Sequence, residues 1–292
     1  MGVAISRRVA AACAALALAA TALAGCNTQE KETEASPQVQ SVVVDGSLGS
    51  IPSVALPKGM SVTSREKLQA VPGYGRQLTE GSSAILTVTT FDGDGALIEG
   101  EALGVPKIVK ITDEGVGTEL AKSLIGEHEG SRIVLLEPVQ IKSKDTTLVT
   151  VVDILPTVAE GTVSELPKGM PEVKLVNERQ QASAMGEAAP PAKLVIAPML
   201  TGQGAQVLEN QHVMVTFTQT HWSSGELVDA TEPHTPITLN LNGVIPGLRA
   251  GILDQRVGSR LLLVIPPDQA AGTDTLVMVV DILAAFNSDV QN

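Results

Sequence analysis

Few residues in this 292-residue chain are of types that could do chemistry. His212, His221 and His234 lie near Asp229 in the sequence, but they fall at a strand start, in a hairpin tip and in a loop, without ligand-like spacing. Gly202-Gln203-Gly204 opens like a dinucleotide loop, yet no third glycine or helix follows, so it reads as a turn. The chain has no nucleophile elbow, phosphate loop or cysteine pair. No metal and no cofactor are expected. What remains is apolar chemistry. Its aromatic members are only Tyr74, Phe91, Phe217, Trp222 and Phe286. Trp222, in the polar hairpin "THWSSG", is expected at the surface, where it could meet a partner chain. Met278 reads as core filler.

The elements that must position these residues are mostly strands. Val, Ile, Leu and Thr alternate in "AILTVTT", "HVMVTFTQT" and "TLVMVVDIL", with frequent Gly and Pro breaks, as antiparallel sheet requires. "LLLVI" at 261–265 is expected to be a buried central strand. One helix stands out, "PGLRAGILDQRVG": Pro246 presets the first turn, Leu248 and Ile252 fall at i, i+4 beside Leu253, and Gly258 breaks the pattern. Residues 116–155 repeat at 244–283 without a gap, 15 of the 40 positions being identical. This places Leu120, Leu124 and Ile125 where Leu248, Ile252 and Leu253 stand. "LPKGM" also occurs twice, at 56–60 and 166–170. The expected fold is therefore α+β: two tandem domains, each a twisted antiparallel sheet wrapped around one short helix. The Pro/Ala-rich 176–193 reads as a linker.

Residues 202–283 resemble an FKBP-type peptidyl-prolyl cis-trans isomerase, in the lipid-anchored two-domain form of actinobacteria. The resemblance is carried by the Gly-x-Gly lead, Asp229, "VIPGL", "VGSRLLLVIPP" and "TLVMVVDIL". It implies two FKBP-like domains and a site in the second, with Phe217, Asp229 and Ile245 as catalytic residues. It also implies that Val228, Ile237, Val244, Leu248, Ala271 and Met278 bind substrate. Many of these depart from the family pattern. Phe217 stands for a tyrosine, Val228 and Ile237 for phenylalanines, Leu248 for the tryptophan floor, Ala271 for a tyrosine and Met278 for a phenylalanine. The first repeat carries Glu99, Leu120 and Thr150 at the acid, floor and last-strand places. The implied activity is a weak isomerase acting on proline-containing exported polypeptides. The alternative is a non-catalytic FKBP-like chaperone or protein-binding module on the same fold.

The start of the chain resembles a bacterial lipoprotein signal. Arg7 and Arg8 precede an apolar run too short for a comfortable membrane span, which ends in Leu23-Ala24-Gly25-Cys26. Such a signal would be cut before Cys26 and the thiol acylated. Cys13 would leave with the signal, so no disulfide is expected. Removing Arg7 and Arg8 leaves 18 basic and 32 acidic residues, a net charge of 18 − 32 = −14. That excludes a nucleic-acid partner and a basic membrane patch, leaving the lipid as the only membrane attachment. The expected order is signal 1–25, acylated Cys26 and flexible tether 26–45, degenerate FKBP-like repeat 46–156, lead-in and linker 157–192, and FKBP-like domain 193–288. The expected location is the outer face of the bacterial cytoplasmic membrane.

Overall fold

In the second half of the chain, five successive residues, Leu261 to Ile265, are fully buried. Side chains along a strand alternate between faces, so a strand with no exposed residue must be covered on both sides. That is what a computed structural model shows; it describes residues 35–98, 104–141, 144–270 and 272–287. Leu261, Leu263 and Ile265 pack towards the helix Pro246–Ile252, with Leu248 and Ile252. Leu262 and Val264 pack on the other side, with Trp222 and with Leu166 and Met170 from the chain leading into this half. The first half is built alike. Ile133 and Leu135 face Leu124 of the helix Thr118–Leu124, while Val134 and Leu136 face Val39, Val42 and Met60 of its own lead-in.

Among the described residues, all strand pairings are antiparallel. The first sheet runs, edge to edge, Glu66–Val71, Arg132–Ile141, Lys144–Leu155, Ser83–Phe91, Lys107–Lys110. The second runs Leu227–Ala230, Gln211–His221, Leu276–Asn287, Arg260–Ile265, Val195–Gly202, Gly161–Val163, and Ile237–Asn240 also pairs with Gln211–His221. Ile85 and Leu155 of the first sheet share a buried cluster with Met214, Leu283 and Ala284 of the second. Residues from Ala35 onward accordingly form one contact unit. Among the described residues, no helix is long and apolar enough to cross a membrane.

The doubled "LPKGM" is a turn that delivers a methionine. Met60 N–H donates to Pro57 O at 3.1 Å and Met170 N–H to Pro167 O at 3.4 Å. The third turn residue has a left-handed φ, 73° at Gly59 and 83° at Gly169, which glycine adopts without a Cβ clash. A buried ion pair then ties each lead-in to its sheet. Arg132 Nε and Nη2 donate to Asp153 Oδ1 and Oδ2 at 2.5 and 2.7 Å, and Asp153 Oδ2 also accepts from Gly49 N–H at 2.8 Å. Residues 128 positions later repeat this: Arg260 donates to Asp281 at 2.6 and 2.7 Å, and Ala159 N–H donates to Asp281 Oδ2 at 2.8 Å.

Several expectations change. Trp222 is only 3% exposed, and its indole N–H donates to Ala188 O at 2.7 Å. The polar hairpin around it hid the fact that the preceding segment folds over the ring. That segment includes much of the expected linker: Val173–Val176 and Arg179–Ala182 form a hairpin, and Ala182 and Met185 pack into the Trp222 cluster. The expected tether is packed from Ala35 onward, with Val39 fully buried. Ile125, set by the repeat at the place of Leu253, is 44% exposed, because the helix ends at Leu124 and Ile125 turns to extended backbone. The leader, Cys26, Glu99 and Ala271 lie outside the described residues.

Candidate functional site

The strand Gln211–His221 places Val213, Val215 and Phe217 on the helix side of the second sheet. Two-residue alternation puts Gln219 on that same side. Directly paired residues on neighbouring strands also share a face. The register therefore lays out a row on the helix side: Leu263 opposite Met278, Met278 opposite Gln219, Gln219 opposite Asp229. A parallel row holds Leu261, Val280 and Phe217. Val215 is opposite both Ile282 and Ile237.

Above these rows sits the helix Pro246–Ile252, with Ile245 as its N-cap and Pro246 at its first turn. Its close seat requires glycine: a Cβ on Gly247 would meet Ile265 Cγ2 at 2.3 Å, and one on Gly251 would meet Leu263 Cδ1 at 2.6 Å. This seat buries Leu248 to 7% and Met278 to 2% exposure. Half-buried Phe217, Val244 and Ile245 pack against the same cluster. Five of the expected residues, Phe217, Val244, Ile245, Leu248 and Met278, are thus brought together as an apolar floor.

Two others, Asp229 and Ile237, stand at its edge, while Val228 falls at the register shift between Leu227 and Asp229 and is not brought to the floor. Val228 and Ile237 are 46% and 39% exposed, and Asp229 is exposed with its Oδ1 accepting the N–H of Ala230 at 2.8 Å. Asp229 reaches the floor through the Met278–Gln219 row. In chemical terms this is a non-covalent site: a floor of aliphatic, thioether and single aromatic groups with one carboxylate at its rim. It suits an apolar ring with a polar amide beside it. The three histidines lie apart. His212 stacks on Phe286 with ring centroids 5.8 Å apart, His221 lies beside Asp274, and His234 faces Thr157.

Two residues escaped sequence reasoning. Gln219 is marked only by its alternation with Phe217. Thr231 grips Phe217 from the neighbouring loop: its N–H donates to Phe217 O at 3.0 Å, and its hydroxyl accepts from Phe217 N–H at 3.1 Å. No local sequence signal marks that contact. A cavity of about 410 Å³ lies elsewhere, between the turn around Gly73 to Gly75 and Gln203-Gly204, and includes none of these site residues.

No family model matches the chain. Over 105 residues it is 31% identical to a "Probable FK506-binding protein" of Corynebacterium glutamicum, covering 32% of this chain and 89% of that protein. Among solved structures it is similar to FkpA from Escherichia coli, with 28% identity, a TM-score of 0.31, and coverage of 32% of this chain and 49% of that one. It thus spans about half the length of FkpA. It is also similar to the putative peptidyl-prolyl cis-trans isomerase FKBP12 from Mycobacterium tuberculosis, with 31% identity, a TM-score of 0.28, and coverage of 34% of this chain and 90% of that one. On its identity to the corynebacterial protein across nearly all of that protein's length, the chain belongs to the FK506-binding protein family of peptidyl-prolyl cis-trans isomerases.

Proposed function

We propose that the chain is a slow prolyl isomerase with its site in the second of two tandem FKBP-like domains, exported and held at the outer face of the cytoplasmic membrane by acylated Cys26. The observation that carries the site is the convergence of Phe217, Val244, Ile245, Leu248 and Met278 in one cluster, with Asp229 at its rim. An X-Pro amide turns over a barrier of about 18–20 kcal/mol because its resonance must be broken. The twisted amide has lost resonance charge separation and is better accommodated by an apolar surround than the planar one. Phe217 and Leu248 would hold the proline ring, Ile245 would present backbone to the substrate, and Asp229 would orient polar groups at the rim. Low activity follows from wall chemistry. Aromatic packing contributes about 0.5–1.5 kcal/mol per pair beyond area. Three or four such losses amount to roughly 2–5 kcal/mol, or about 30- to several-thousand-fold in transition-state binding.

The test is cis-to-trans conversion of a short X-Pro peptide by the full chain. Phe217→Ala should lower kcat/KM by about tenfold or more, given the area an aromatic side chain buries. Asp229→Ala should lower it too, whereas Val88→Ala on the first sheet should leave it unchanged. Activity insensitive to Phe217 and Asp229 would remove the site from the second half. Cys26→Ala should release the protein from membranes; a variant that still pellets after a high-salt wash would refute the anchor.

The exposed Val228 and Ile237 favour a second reading, a binding module for apolar polypeptide segments without turnover. Binding of FK506 or of an X-Pro peptide with no rate enhancement would establish it.

A further inference from the structure

The loop at residues 231–236, "TEPHTP", joins Asp229 on one side to Ile237 on the other. Its start is bonded to Phe217 through Thr231, and Thr231 O in turn accepts from Arg179 Nε at 2.8 Å. Beneath it lies a cavity of about 50 Å³ whose lining includes Arg179, Phe217, Thr231 and His234.

The far end of the loop is held by Thr157, at the start of the second lead-in, and by residues of the first half behind it. His234 has a φ of 54°, a left-handed angle uncommon for a residue with a side chain. Its Nδ1 lies 2.9 Å from Thr157 Oγ1. Thr157 is fully buried, and its hydroxyl donates to Glu129 Oε1 at 2.7 Å. A hydroxyl has one proton, so towards His234 it can only accept, and the imidazole must carry its proton on Nδ1. Glu129, 2% exposed, also accepts from Arg76 Nε and Nη2 at 3.0 and 2.7 Å and from Thr157 N–H at 3.0 Å. Next to it, Thr235 Oγ1 donates to Ser83 Oγ at 3.3 Å. Arg76, Ser83 and Glu129 all belong to the first half.

The geometry points to a positioning role for the first half. Thr157, fixed by the buried Arg76–Glu129 pair, holds the 231–236 loop through His234 and so sets the places of Phe217, Asp229 and Ile237. This role rests on the site proposed above. It gives the degenerate repeat a task that needs no pocket of its own.

The test uses the full chain. Thr157→Val removes the hydroxyl but keeps the shape and the N–H that Glu129 accepts. Amide hydrogen exchange at Thr231 and Thr235 should accelerate about tenfold, the scale of one lost hydrogen bond, while the sheet amides of Val264 and Val279 stay unchanged. In the same variant kcat/KM should fall roughly three- to tenfold, with most of the change in KM. Thr157→Ser should restore both. His234→Asn, which tolerates the left-handed angle and removes the imidazole, should loosen the loop in the same way. Unchanged exchange at Thr231, acceleration spread evenly over the sheets, or failure of Thr157→Ser to restore would each overturn the role. If the parent chain shows no turnover, the proposed function fails by itself. Loop exchange then decides the anchor: local, restorable acceleration supports it and no acceleration overturns it.

Discussion

In the second half, Gly247 and Gly251 let the helix lie against Ile265 and Leu263 closer than any Cβ would permit. In the first half, the residues 128 positions earlier are Glu119 and Ser123. Glu119 points to solvent, where it pairs with Arg65 and Lys122. The strands differ in the same sense. Phe217 is opposite Val280, whereas Val88 is opposite Val152 at the matching register; Gln219 is opposite Met278, whereas Thr90 is opposite Thr150. The outer faces do not diverge this way, since both keep the Arg–Asp pair and the methionine turn. The lead-in cover is therefore common to both halves, and the glycine-permitted helix seat belongs to the second.

The largest expected effect tests the shared cover. Arg132 is fully buried and also donates to Gly46 O and Ser47 O at 2.8 and 3.1 Å, whereas the Arg260 side chain is 15% exposed. Arg132→Met strands the buried Asp153 carboxylate and should cost about 3–5 kcal/mol in denaturant unfolding. Arg260→Met should cost less, about 1–3 kcal/mol, the range for one unsatisfied group. Equal losses would mean that burial does not separate the two pairs. A middle-sized effect sharpens the helix contrast: Gly247→Ala must push the helix off Ile265 and should cost about 1–3 kcal/mol, with reduced isomerase activity. The smallest effect is its counterpart. Glu119→Ala removes only exposed ion pairs and should stay within about 0.5 kcal/mol. A large loss there would show that the exposed ion pairs, and not packing, hold the first helix in place.

What was legible in the sequence was whatever repeats, runs unbroken or resembles a family. The helix from Pro246 follows from period-3.6 patterning, the buried "LLLVI" strand from an unbroken apolar run, and the grouping of Phe217 with Met278 from the family resemblance, while the doubled block exposed the common plan. The cover over the outer faces was not legible. Its residues, such as Val39, Met170 and Ala182, are scattered through polar or Pro-rich stretches and become apolar neighbours only when the chain folds back. Trp222 was misjudged for that reason: its local setting is polar, while its packing partners come from the 166–188 region. Thr157 and Thr231 were invisible for another reason. A hydroxyl carries no periodic signal, and their partners lie up to 77 residues away.

The lead-ins also impose an order in time. Gly49 is joined to Asp153 across 104 residues, and Ala159 to Asp281 across 122. A chain emerging from its N-terminus presents each lead-in first, yet that segment has nothing to cover until the last strand of its sheet exists. Until then Val134, Leu136, Leu262 and Val264 face water, and closure of so long a loop is slow compared with local hairpin formation. Each nascent half is thus prone to sticking to other chains until its last strand arrives, near residue 153 for the first and near 281 for the second. A truncation that stops short of Asp281 would leave that face open permanently.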